Sequence, residues 1–89
     1  MVRSHIYFKG MVQGVGFRYT ARNYAVDLDL KGWVKNLPDG RVELMSEGPK
    51  AAVEELIEKL KDHYGGYIHD VQAGYSDVIG EFTDFKIAF

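Results

Sequence analysis

Leu37-Pro38-Asp39-Gly40 stands near the middle of the chain and reverses its direction. Proline presets φ, aspartate caps the turn, and glycine accepts a positive φ. Both flanks read as strands. Lys31 to Asn36 contains Trp33 and Val34, and Arg41 to Ser46 carries Val42 and Leu44 on one face. The two are expected to pair as a hairpin.

The segments outside the hairpin switch between two periods. Val2, Ser4, Ile6 and Phe8 alternate with Arg3, His5, Tyr7 and Lys9, the signature of a strand. Ala21, Tyr24, Ala25 and Leu28 then recur at i, i+3, i+4 and i+7, one stripe of a helix, with Arg18 at its start. After the hairpin, Gly48-Pro49 opens a second helix, with proline expected in the first turn, where no amide donor is missed. Its apolar stripe is Val53, Leu56, Ile57, Leu60 and Tyr64; Glu55 and Lys59 form an i,i+4 pair, and Gly65-Gly66 ends it. Tyr67 to Asp77 and Phe82 to Phe89 read as strands, with Val71, Ala73 and Tyr75 alternating in the first and Phe85, Ile87 and Phe89 in the second. The order is βαββαβ with a short extra C-terminal strand. It predicts an α+β sandwich of the ferredoxin-like type: an antiparallel sheet with two helices on one face. At this length one domain is expected, spanning residues 1–89.

Composition narrows the function classes. The chain has no cysteine, which fits a reducing compartment. Its N-terminus lacks the apolar run of a signal peptide, and no stretch approaches the roughly 18 apolar residues of a membrane span. A cytoplasmic protein with no membrane role is expected. A net charge of −2 counts against a general nucleic-acid binder, as does RVELMS, a strand without the aromatics of an RNA-recognition sheet. His5, His63 and His69 are scattered without ligand spacing, so neither a metal site nor a catalytic imidazole is expected. The few serines have no evident histidine partner.

Charge is uneven. Residues 1–48 carry a net +2 and residues 49–89 a net −4. Within the positive part lies GMVQGVGFRYT, Gly10 to Thr20. A loop that leaves a strand and enters a helix can turn successive N–H groups inward, and such a nest binds anions. Gly14 and Gly16 bracket Val15, and Arg18 follows with a fork suited to phosphate oxygens. An equally open reading is a tight βα turn with Arg18 solvated. The known phosphate motifs do not decide between them: no glycine stands three residues after Gly16, and no Gly-Lys pair exists.

GMVQGVGFR followed by GWVKNLPDGRVELMSEG resembles the two signatures of the acylphosphatases. The first is that family's phosphate-binding loop. The second is its strand–turn–strand, here Gly32, Trp33, Val34, Asn36, Gly40, Val42 and Gly48. Order and separation agree, and the family's length and fold match almost the whole chain. The pattern departs at Asp29, where a glycine commonly separates the two leucines, and over Gly65 to His69, which lack prolines often found there.

The resemblance implies a metal-independent, cofactor-free acylphosphate phosphohydrolase. It implies that Gln13, Gly14, Val15, Gly16, Phe17 and Arg18 bind the phosphoryl group, or a phosphate or sulfate ion. It further implies that Arg18 and Asn36 are catalytic, with Asn36 positioning the attacking water. Arg18 and Asn36 are then expected to face one cleft. Larger maturation enzymes carry a similar domain at their start; with the chain ending at Phe89, a free-standing monomer acting on a small acyl phosphate is expected.

Overall fold

A computed structural model describes residues 1–89. In chain order the elements are β1 (Val2–Gly10), α1 (Phe17–Asp27), β2 (Lys31–Asn36), β3 (Val42–Gly48), α2 (Lys50–Tyr64), a single 3₁₀ turn (Gly65–Tyr67), β4 (Ile68–Ser76) and β5 (Phe85–Ile87). They build one five-stranded sheet in the order β4-β1-β3-β2-β5. The fold is the expected ferredoxin-like α+β sandwich.

The alternation in β1 places Ile6 and Phe8 fully inside, against Val34 of β2 and Val42 and Leu44 of β3. Ala21 and Ala25 of α1 and Val53, Leu56 and Leu60 of α2 close the same cluster. Each large side chain so buried contributes about 1.5–3 kcal/mol. Ser4, on that buried face, sits directly opposite Ser46, and their hydroxyls meet at 2.6 Å. Each buried oxygen thereby has a partner. Arg3, His5, Tyr7, Trp33 and Glu43 project from the opposite face of the sheet. There Glu43 pairs with His5 Nε2 at 2.5 Å and accepts from the Tyr7 hydroxyl at 3.2 Å.

Several details differ from the sequence reading. The sheet is mixed rather than purely antiparallel, because β5 runs parallel to β2. That last strand is three residues long, not eight: Gly32 N–H to Asp84 O and Ala88 N–H to Val34 O end its ladder. Pro49 is the N-cap rather than a first-turn residue; its extended ψ of 137° precedes the helix, while its carbonyl accepts from Ala52 and Val53. Ala73 and Tyr75 alternate as expected but stay exposed, because β4 is an edge strand that the helices do not fully cover.

Asp29 has φ +57° and ends α1 in a Schellman arrangement: Leu30 N–H reaches Ala25 O at 2.9 Å, and Asp29 N–H reaches Val26 O at 3.0 Å. Gly32 admits no side chain, since a Cβ there would run into the Met45 carbonyl of β3.

The register sets the site. Val42, the first residue of β3, pairs with Phe8 on one side and Asn36 on the other. The end of β1, which feeds the glycine loop, and the end of β2 therefore lie together at one end of the sheet.

Candidate active site

The glycine loop is pinned at both ends by the core. Val12 is fully buried, and Phe17 is buried between the rings of Phe8 and Tyr64, each 5.0 Å away by centroid. Between those anchors the backbone must curl outward, and Gly14 and Gly16 allow it with φ +75° each. The amides of Gln13, Gly14, Val15 and Gly16 donate to no backbone acceptor, and Arg18 and Tyr19 find no carbonyl four residues back. A run of unpartnered N–H groups at a helix start is an electropositive nest.

The side chains divide between lining and bracing. Gly14, Gly16, Phe17, Arg18, Tyr19 and Asn36 line a cleft of about 140 Å³. Arg18 and Asn36 thus share one opening. Gln13 turns away: its Nε2 donates to Leu37 O at 2.7 Å and Arg41 O at 3.0 Å, tying the loop to the hairpin that carries Asn36. The Val15 carbonyl is met by the Tyr64 hydroxyl at 3.3 Å, which is also 3.0 Å from Thr20 Oγ1.

Asn36 is the last residue of β2, and its Oδ1 is buried without a hydrogen-bond partner. Arg18, the second residue of α1, donates from Nη1 to Ala88 O at 3.3 Å, and its guanidinium lies 4.9 Å from the Phe89 ring centroid. Residues 88 and 89 seat the fork, and nothing in the sequence signals it: the contact joins positions seventy residues apart. In the turn beyond Asn36, Asp39 accepts Arg41 N–H at 3.1 Å. That bond, with the Arg41 guanidinium, holds the Asp39 carboxyl below its ordinary range. No carboxylate or imidazole lines the cleft, and no three His, Asp or Glu side chains converge elsewhere in the molecule. No helix is long and apolar enough to cross a membrane.

The acylphosphatase family model matches residues 4–87. The chain belongs to the acylphosphatase family. Acylphosphatases are hydrolases acting on acyl phosphates. An acylphosphatase of Pyrobaculum islandicum is 44% identical over 88 residues, 97% of this chain and 93% of its own. One from Acaryochloris marina is 60% identical over 80 residues, 88% of this chain and 84% of its own. The crystal structure of the acylphosphatase from Bacillus subtilis superposes with a TM-score of 0.92 at 37% identity, covering all of both chains.

Proposed function

We propose that this acylphosphatase holds the phosphoryl group of its substrate against the amides of residues 13–18 and the Arg18 guanidinium, while Asn36 positions the attacking water. The observation that carries the reading is Asn36 Oδ1, a buried acceptor with no protein partner in a residue lining the same cleft as Arg18. Such an atom costs about 1–3 kcal/mol unless something hydrogen-bonds to it. A water donating one proton to Oδ1 keeps a lone pair free for phosphorus.

Water attacks phosphorus in line as the bond from phosphorus to the acyl oxygen breaks. The carboxylate departs with that bonding pair. Its conjugate acid has a pKa near 4, so it leaves without a general acid. The proton released by the water passes to a phosphate oxygen, giving a carboxylate and dihydrogen phosphate. Charge stabilisation and positioning carry this chemistry, which suits a cleft without a titratable base. Ala88 occupies one N–H of the five on the Arg18 fork and fixes its plane; the others remain for the equatorial oxygens. The same reading takes residues 1–89 as one domain, supported by a single core running from Ile6 to Phe85, acting as a monomer.

Hydrolysis of benzoyl phosphate by wild type, Arg18→Ala and Asn36→Ala tests this. Arg18→Ala should lower kcat/KM by roughly 10²–10³, as expected when a donor to developing charge is lost. Arg18→Lys should recover little, because a point charge does not replace the fork. Asn36→Ala should lower kcat with KM nearly unchanged. Wild-type rates from Arg18→Ala would sink the assignment.

A further inference from the structure

The peptide joining Val15 to Gly16 turns about ψ of Val15 and φ of Gly16, the latter at +75°. Glycine at its C-terminal side keeps that torsion soft, so what grips the peptide sets its orientation. One hydrogen bond reaches it from outside the loop, from the Tyr64 hydroxyl to the Val15 carbonyl. A trans peptide points its C=O and N–H in opposite directions. A Val15 carbonyl turned toward Tyr64 therefore sends the Gly16 N–H the other way, and Gly16 lines the cleft with Arg18 and Asn36.

Tyr64 is equipped to hold that orientation. It is the last residue of α2, and only 8% of it is exposed. Its ring is clamped between Phe17 and His63, with centroids at 5.0 and 4.6 Å, so the hydroxyl has little freedom to move. A phenol carries one proton, and two acceptors face it: the Val15 carbonyl at 3.3 Å and Thr20 Oγ1 at 3.0 Å. Thr20 also gives its N–H to Gly16 O at 3.1 Å, gripping the next peptide. An anion on the Gly16 N–H would polarise the Val15 carbonyl and strengthen its bond to the phenol.

We propose that Tyr64 is a positioning residue that sets the Gly16 amide for the phosphoryl group. The inference rests on the loop being the phosphate site. Inorganic phosphate, titrated into the ¹⁵N-labelled full chain, serves as probe. The wild-type Gly16 amide should shift. In Tyr64→Phe that shift should shrink, and phosphate should bind about three- to ten-fold more weakly, the effect of one ordinary hydrogen bond. The kcat/KM for benzoyl phosphate should fall by a similar factor. Thr20→Val removes the competing acceptor, so it should bind phosphate at least as tightly as wild type. A Tyr64→Phe protein that melts earlier but keeps both the Gly16 shift and the phosphate affinity would reduce the phenol to a brace and overturn the proposal. Should Tyr64→Phe fail to fold, a Thr20→Val protein that binds phosphate several-fold more weakly than wild type would overturn it instead. A wild-type loop silent to saturating phosphate would sink this proposal and the phosphate site together.

Discussion

Asn36 looks in the sequence like an ordinary residue before a Pro-Asp-Gly turn. The structure makes it the final rung of β2, paired with Val42, with an unsatisfied carbonyl oxygen. Its type and position were legible; its missing partner was not, because satisfaction depends on what the fold does not bring near. Asp29 is the converse. Where the family commonly has glycine, aspartate adopts φ +57° at the end of α1. The left-handed region costs an L-residue roughly 1–2 kcal/mol, less for aspartate than for most. The exposed Lys31–Asp29 pair at 3.1 Å returns little. Asp29→Gly should therefore stabilise the protein by about 0.5–1 kcal/mol, read as a Tm rise of several degrees with kcat unchanged. A lower Tm would mean that the Lys31 pair outweighs backbone strain.

β5 was half legible as an element. The alternation of Phe85, Ile87 and Phe89 reads as a strand, and Phe85 does enter the core. Its parallel partner and its short span come from tertiary placement, which no local pattern encodes. Reaching β2 from β4 requires a crossing of the sheet through residues 77–84, and a charged clasp holds that crossing. The Glu47 carboxylate, 8% exposed, accepts Ile79 N–H at 2.7 Å and Gly80 N–H at 3.0 Å, while Arg3 reaches it at 3.2 Å. Arg3 also grips Glu81 at 2.6 Å and lies over the Phe82 ring at 5.1 Å. The Ile79 amide first, then the Gly80 amide and Arg3, hold the Glu47 carboxyl below the ordinary glutamate range against the opposing effect of burial. A depressed folded-state pKa stabilises above the unfolded value of about 4.3 and loses that contribution as pH falls through the folded value. The Tm deficit of Glu47→Gln should thus be full at pH 7 and shrink below about pH 4. A deficit constant from pH 7 to pH 3 would show that the charge is not what the clasp uses.

For the molecule as a whole, the switch from period 2 to period 3.6 and back was enough to fix the element order and the shared core face, from Ile6 through Val34 to Leu56. Element order in turn placed β3 between β1 and β2, so that the glycine loop and Asn36 share one end of the sheet. What stayed hidden were the braces. Ala88 under Arg18 and Tyr64 under Val15 both join distant parts of the chain. If the cleft takes phosphate, folding and binding are linked across the domain. Phosphate at a hundred times its Kd adds about 2.7 kcal/mol, a Tm rise of roughly 10–20 °C for so small a protein. Arg18→Ala should show no rise at the same concentration, by calorimetry or dye melting; an undiminished rise would put the anion elsewhere.

Trp33 alternates with the core residue Val34 and so faces the side of the sheet away from the helices, with Lys35 Nζ 5.3 Å from its ring. It is the chain's one indole. Indole emission will therefore report denaturation while remaining dark to occupancy of the cleft at the end of the sheet. A fluorophore attached at position 19, where an exposed tyrosine lines the opening, would give optical titrations the signal the native chromophore withholds.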